Sequence, residues 1–63
     1  MRHPSVPAEP LFDLEQVALQ LGCSTRSVRR LIDQGELPII RIGRLVRVHP
    51  DDLRRFIAAR RHA

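Results

Sequence analysis

Apolar residues recur at helical spacing near the start of the chain. Positions i, i+3, i+4 and i+7 of one short segment hold Leu14, Val17, Ala18 and Leu21. This spacing predicts a short amphipathic helix. Asp13 precedes the segment as a candidate N-cap, and Gln16 follows three residues later, which completes a capping-box pattern. Gly22 is the residue type on which helices commonly end, so the helix is expected to stop there.

A second short helix is predicted from about residue 25 to residue 34. Ser24 precedes it as a candidate N-cap, and Gly35 follows it as a stop signal. On a helical wheel, one side carries Val28, Leu31 and Ile32. The opposite side carries Arg26, Arg29, Arg30 and Asp33. Because only two residues separate the first helix from the cap of the second, the pattern is that of a helix-turn-helix.

A β-hairpin is predicted after the second helix, because Pro38 stops that helix and two short apolar runs follow at 39–42 and 45–48. A two-residue loop between the runs would set Ile40 opposite Arg47. Such a register mixes apolar and charged side chains on one face of the hairpin. The alternation of side chains therefore disfavours a two-residue loop.

The sequence instead favours a three-residue loop at residues 43–45. The cross-strand pairs are then Ile42 with Val46, Ile40 with Val48, and Arg41 with Arg47. The two apolar pairs give the hairpin an apolar inner face. The arginine pair on the outer face is repulsive, and its position favours an anion bound between the two guanidinium groups.

A third helix is predicted after His49. Pro50 suits the first helical position, and the carboxylates of Asp51 and Asp52 suit the positive end of the helix dipole. One side of this helix carries Leu53, Phe56 and Ile57. We expect these three side chains to complete the core.

The chain is small, so its core must be built by aliphatic packing. At 63 residues, folding buries only about 60% of the surface that the unfolded chain exposes. Cys23 is the only cysteine, which excludes an internal disulfide, and we expect it to be a small buried residue. Such a core has little room for a catalytic pocket, and neither paired metal-ligand spacing nor a nucleophile with its base is present. We therefore expect no enzymatic activity, no cofactor and no metal.

Domain organisation and cell compartment follow from composition. Residues 1–10 hold three of the five prolines and little that can pack, so we expect a flexible N-terminal arm there and one domain over residues 11–61. No apolar run reaches the length of a membrane span, and no signal-peptide core follows Met1. We expect a cytoplasmic protein that does not contact membranes.

Positive charge is concentrated in the middle and at the end of the chain. All 11 basic residues are arginine, and 7 acidic residues leave a net charge of +4. Residues 1–23 hold one arginine against three carboxylates, residues 24–47 six against two, and residues 48–63 four against two. Guanidinium groups make paired hydrogen bonds to phosphate and guanine, which favours a nucleic-acid partner. A GC-rich genome with arginine-biased codons is the alternative explanation for the arginine content.

A helix-turn-helix followed by a basic hairpin predicts a winged helix-turn-helix, mainly α with a small two-stranded antiparallel β-hairpin. The second helix is expected to enter the major groove of duplex DNA, and the hairpin to act as a wing on the neighbouring minor groove or backbone. The candidate DNA-binding residues are Ser24, Thr25, Arg26, Ser27, Arg29, Arg30, Arg41, Arg44 and Arg47. Which arginines read bases and which bind phosphates stays open. The arginines of the third helix are interpreted as solvating it, and the alternative for Arg60 and Arg61 is a contact with the DNA backbone.

Several segments also match a known pattern. They are Asp13-Leu14-Glu15-Gln16-Val17-Ala18, Leu21-Gly22-Cys23-Ser24, Val28-Arg29-Arg30-Leu31-Ile32, Gly35-Glu36-Leu37-Pro38, Arg41-Ile42-Gly43-Arg44, Arg47-Val48 and Asp52-Leu53. Through them the chain resembles the excisionase-type winged helix-turn-helix of the MerR superfamily. The resemblance implies a phage or prophage excisionase, also called a recombination directionality factor. Such proteins bind side by side at an attachment site, bend the DNA and direct integrase toward excision.

The resemblance also implies partners, and the chain differs from the family at some positions. We expect double-stranded DNA and a phage integrase as partners, in the nucleoid of a bacterial host. We also expect the protein to be a monomer in solution that assembles cooperatively head to tail on DNA. The family commonly has an aromatic residue near Val46 and often one near Arg29, and neither is present. We expect no long dimerisation helix of the kind found in full MerR regulators. Two alternatives remain: a small phage transcriptional regulator of the AlpA or MerR-like kind on an operator, and an interaction module for an acidic protein.

Overall fold

The computed structural model describes residues 10–61. Its elements follow in the order α1 (Leu14–Leu21), α2 (Thr25–Asp33), β1 (Ile40–Ile42), β2 (Leu45–Arg47) and α3 (Pro50–Arg60). β1 and β2 form a two-stranded antiparallel sheet. The predicted fold class, a mainly helical winged helix-turn-helix, is confirmed. The arm predicted at residues 1–10 lies outside the described residues except for Pro10, and the domain limits of 11–61 stay a prediction.

Side-chain caps determine where the first two helices begin. The Asp13 carboxylate accepts a hydrogen bond from the Gln16 N–H at 2.8 Å, and the Gln16 side chain accepts one from the Asp13 N–H at 2.9 Å. The predicted capping box is therefore present. At the start of α2, Ser24 Oγ accepts a hydrogen bond from the Ser27 N–H at 3.1 Å. The caps fix the first turn of each helix, and with it the direction in which α2 leaves the turn.

The third helix begins at a cap that the sequence did not predict. His49 Nδ1 accepts a hydrogen bond from the Asp51 N–H at 2.9 Å, and Pro50 follows at the first helical position. The acceptor nitrogen satisfies an N–H group that has no partner within the helix. His49 therefore serves as the N-cap of α3.

The turn between α1 and α2 is closed by a glycine in the left-handed region. Gly22 has φ +70°, a conformation that costs a residue with a Cβ, and the following Cys23 N–H donates to the Ala18 carbonyl at 3.0 Å. The chain reverses within this turn, which lies on the surface, and Cys23 is exposed. The prediction of a buried Cys23 is wrong, because its backbone closes the turn while its side chain lies outside the core.

Six residues form the buried core: Val17, Ala18, Val28, Leu37, Val48 and Leu53. Partly buried residues pack around them: Phe12, Leu14, Leu21, Leu31, Ile32, Ile39 and Phe56. The predicted apolar faces of α1 and α2 are thus confirmed. Leu37, which is 2% exposed, was not predicted. Ile57 is 37% exposed and lies outside the core, so the prediction that it completes the core is wrong. α3 packs along a narrower edge through Leu53 and Phe56.

The hairpin adopts the register that side-chain alternation disfavoured. The pairs are Ile40 with Arg47, Arg41 with Val46, and Ile42 with Leu45. The loop therefore has two residues, and its first residue, Gly43, has φ +60°. The predicted three-residue loop and the predicted Arg41–Arg47 pair are wrong.

The physical reason for this register lies outside the hairpin, at Val48. Its N–H donates to the Phe12 carbonyl and its carbonyl accepts from the Phe12 N–H, both at 2.9 Å. Val48 is completely buried although it lies opposite no β1 residue. The segment before α1 supplies its backbone partner, so Ile40 need not lie across from Val48. The tip of the hairpin extends past the core, where a mixed face costs little.

Candidate nucleic-acid interface

Helix α2 presents a basic face to solvent. Val28 is fully buried against the core. Because successive residues are rotated by about 100° around a helix, the side opposite Val28 faces solvent. Arg26, Arg29 and Arg30 are all exposed there. The opposed apolar and basic faces predicted from the sequence are therefore confirmed.

The hydroxyl groups at the start of α2 hydrogen-bond to their own helix. Ser24 Oγ caps the Ser27 N–H and also donates to Ser27 Oγ at 3.2 Å. Ser24 is exposed, whereas Thr25 and Ser27 are half-buried. Ser24 and Ser27 thus have a structural role in starting the helix, in addition to the DNA-binding role predicted for them.

The hairpin carries three further arginines in different environments. Arg41 and Arg44 are exposed, while Arg47 is half-buried. Arg47 Nη1 donates to the Val46 carbonyl at 2.8 Å, so its guanidinium group lies along its own strand. Arg44 occupies the second position of the two-residue loop and is the cation nearest the end of the hairpin.

A groove between α2 and the hairpin brings part of the candidate set together. It has a volume of about 400 Å³, and the candidates that line it are Thr25, Arg29, Arg44 and Arg47. A smaller hollow of about 150 Å³ beside it is lined by Arg29 and Arg41. Arg29 therefore lines both, between helix and hairpin. Neither hollow is lined by the other four candidates, Ser24, Arg26, Ser27 and Arg30.

The groove is also lined by the carboxylates of Asp13 and Glu15, whose position there was not predicted from the sequence. Asp13 is occupied in capping α1. Glu15, in the first turn of α1, is exposed. A free carboxylate repels phosphate, so Glu15 limits where a nucleic-acid backbone can lie in the groove. The close approach of α1 to the hairpin is a tertiary feature with no local sequence signal.

Ion pairing separates the arginines of α3 from those of α2 and the hairpin. Ion pairs at α3 include Arg54 with Asp51, Arg55 with Asp52 at 3.0 Å, and Arg60 with Glu36. Arg60 also lies over the Phe56 ring, 4.5 Å from its centroid. Within residues 10–61, no ion pair involves Arg26, Arg29, Arg30, Arg41, Arg44 or Arg47. These six guanidinium groups all belong to α2 and the hairpin and are available to an external anion.

A further hollow lies beside α3. Its volume is about 790 Å³, and Glu36, Phe56 and Arg60 are among the residues that line it. No candidate DNA-binding residue lines it.

In the described part of the chain, no cluster of three or more histidine, cysteine, aspartate or glutamate residues has the arrangement of a metal site. None of the helices of residues 10–61 has the length and apolar character needed to cross a membrane.

The fold and the unpaired arginines together define a winged helix-turn-helix that binds double-stranded DNA. Comparison with known families gives the same class: the profile of a helix-turn-helix domain matches residues 11–61. The chain belongs to this DNA-binding family, which includes excisionase-like proteins and is typically non-enzymatic. No curated protein and no solved structure is significantly similar to the chain.

Proposed function

We propose that this protein is an excisionase-type architectural factor that binds attachment-site DNA, bends it and directs an integrase toward prophage excision. One observation supports the DNA-binding part of this proposal. Among the described residues, the arginines on α2 and the hairpin have no ion pairs, whereas Arg54, Arg55 and Arg60 of α3 are paired. Phosphate is the abundant anion that this arrangement fits. Excision as the role on DNA is consistent with the family, which includes excisionase-like proteins.

In the proposed complex, α2 lies in the major groove and the hairpin lies over the adjacent minor groove. A major groove about 12 Å wide admits one helix. Thr25 and Arg26, in the first turn, face base edges or the nearest phosphates. Arg29 lines the groove that joins helix and hairpin, where it can follow the DNA backbone between the two. Arg44, at the hairpin tip, binds sugar-phosphate at the minor groove.

The size of this surface favours several copies on one DNA segment. A single module of this kind buries about 600–1,000 Å² on DNA, which gives modest affinity by itself. Adjacent copies bound head to tail would gain affinity from contacts between neighbours. An architectural role requires such an array, because several small bends in phase give a large overall bend.

The proposed function is tested by selecting duplexes from a randomised pool with the purified protein. Footprints on the selected duplexes then report the arrangement of sites. We expect direct repeats, a bent product, and stimulation of excision when the protein is added to the integrase encoded in the same genome and a plasmid with its attachment sites. A single palindromic site without any effect on recombination would contradict excision and favour an operator-binding regulator. Absence of duplex binding at low salt would contradict DNA binding altogether.

Arg44→Ala is expected to weaken binding roughly uniformly across duplex sequences. A contact to phosphate carries no sequence information, so the logarithm of affinity should also depend less steeply on salt, by about one unit of slope. Titrations of several selected duplexes at a series of salt concentrations measure both effects. Arg55→Ala is the matched control, since Arg55 pairs with Asp52 on α3. A loss of affinity that depends on the base at one position of the duplex would show that Arg44 reads sequence.

A further inference from the structure

Two apolar side chains lie exposed at the tip of the basic hairpin. Ile42 is 53% exposed and Leu45 is 50% exposed. They are directly paired across the strands and flank the two-residue loop. The register places them on one face of the sheet, because cross-strand partners point to the same side. They thus form an apolar pair at the end of the hairpin, which the core does not use.

The hairpin's other face accounts for its packing. Val46 is half-buried and lines the hollow beside α2 together with Arg41, its cross-strand partner. Val48, further along, is fully buried. The inner face supplies these contacts, and neither Ile42 nor Leu45 belongs to the core cluster, so the core does not explain large aliphatic side chains at these half-exposed positions.

The charge around the apolar pair identifies its partner. The segment from 40 to 48 contains three arginines and no carboxylate. A second copy facing the same surface would bring six guanidinium groups together, which is repulsive. The minor groove of DNA instead combines phosphate rims with sugar walls, and apolar side chains can insert between its base steps. An apolar pair bordered by arginines complements that surface.

The shape of the tip fits the narrower groove. The loop consists of Gly43, which has no side chain, and Arg44. The minor groove of B-form DNA is about 6 Å wide, so a hairpin tip this slender can enter where a helix cannot. The tip also lies beside the N-terminal half of α2, because Arg44 and Leu45 line the same groove as Thr25 and Arg29. A duplex bound on α2 therefore passes the tip.

We propose that Ile42 and Leu45 form an apolar wedge that enters the minor groove beside the α2 contact, partly unstacks one base step and bends the duplex. Apolar side chains inserted at a base step open the minor groove and kink the helix toward the major groove. The wedge selects pyrimidine–purine steps, because these unstack most readily. This inference rests on the proposed binding of duplex DNA, and it assigns the bending to two particular residues.

The test compares bending and unstacking in one family of variants. The probes are pool-selected duplexes of about 30 base pairs, labelled at both ends for energy transfer or carrying 2-aminopurine at the step next to the hairpin. The test variant is Ile42→Thr/Leu45→Gln, which removes the apolar surface at two half-exposed positions. Leu19→Gln is the matched control, because Leu19 is 80% exposed on α1 and belongs to neither α2 nor the hairpin. Far-UV circular dichroism verifies that each variant is folded.

We expect the wild-type protein and Leu19→Gln to bend the duplex and to raise 2-aminopurine fluorescence. The double variant should bind within about fivefold of wild type yet lose most of the bend and of the fluorescence rise. Leu45→Met, which keeps the apolar bulk, should retain both signals. If the double variant loses binding entirely, retention by Leu45→Met supports the wedge, and equal loss in Leu45→Met contradicts it.

Two results separate this inference from the proposed function. Wild-type protein that binds duplexes without bending or unstacking them, or a double variant that bends as wild type does, overturns the wedge alone. Wild-type protein that binds no duplex at low salt overturns the proposed function together with the wedge.

Discussion

Leu37→Ala is expected to lower the free energy of unfolding by about 2–5 kcal/mol, because it removes a buried aliphatic side chain and leaves a cavity. Leu37 is 2% exposed and belongs to the six-residue core. A domain of 63 residues has a total stability of only about 3–9 kcal/mol at the usual value per residue. The substitution should therefore remove a large part of the stability of the domain. Urea denaturation followed by circular dichroism measures the change.

Leu19→Ala is the control for this prediction, since it makes the same chemical change at a residue that is 80% exposed. We expect an effect within about 0.5 kcal/mol of zero, with alanine slightly favoured by its helix propensity. Equal losses of stability in the two variants would mean that burial of Leu37 does not stabilise the domain, and they would contradict the prediction.

The two helices of the helix-turn-helix could be predicted from sequence because their signals are local. Asp13 and Gln16 form a capping box within one turn of helix, and Gly22 ends that helix in the left-handed conformation. The apolar face of α2 follows from the 3.6-residue period alone. Each feature depends on residues within a few positions of one another, so one sequence is sufficient to identify it.

Core residues outside periodic segments could not be found in this way. Leu37 lies in the turn between α2 and the hairpin, where no helical or strand period marks which side chains point inward. Ile57 shows the converse: it follows the apolar period of α3 but is partly exposed. Periodicity indicates which residues share a face, whereas the depth of burial depends on how far the neighbouring elements extend.

The prediction of the hairpin register was wrong for a related reason. Alternation within residues 39–48 favoured pairing Ile40 with Val48, but Val48 pairs with Phe12 through two hydrogen bonds. That partner is more than thirty positions away in sequence. Strand register is determined by all the pairings that a residue can make, and a local segment does not contain the competing partner.

The candidate site was predicted in its composition but not in its arrangement. The exposed arginines of α2 follow from the helical wheel. Their lack of ion pairs, and the pairing of Arg60 with Glu36 across 24 positions, depend on which carboxylates the fold brings near. The same applies to Glu15, which lines the groove between α2 and the hairpin. The position of each arginine in the fold therefore has to be tested separately from the total charge.

A triple substitution, Arg29→Ala/Arg30→Ala/Arg44→Ala, is expected to reduce affinity for selected duplexes by about 100-fold or more, at about 1 kcal/mol or more for each charge-assisted contact to DNA. It lowers the formal net charge from +4 to +1. About five phosphate contacts in the wild-type protein should give a slope of log affinity against log salt near −4 or −5. Loss of three contacts should make that slope shallower by about two to three units. Fluorescence anisotropy titrations over a range of salt concentrations measure both quantities.

The decisive comparison is with a second triple variant that has the same net charge, Arg54→Ala/Arg55→Ala/Arg61→Ala on and next to α3. Arg54 and Arg55 are ion-paired within α3, and exposed pairs of this kind contribute little to stability. Charges more than about 8 Å from the DNA are screened at physiological salt. This variant should therefore lose less than about tenfold in affinity and keep a slope near that of wild type. If the two variants lose affinity equally, net charge alone drives binding, and neither α2 nor the hairpin is the surface that meets DNA.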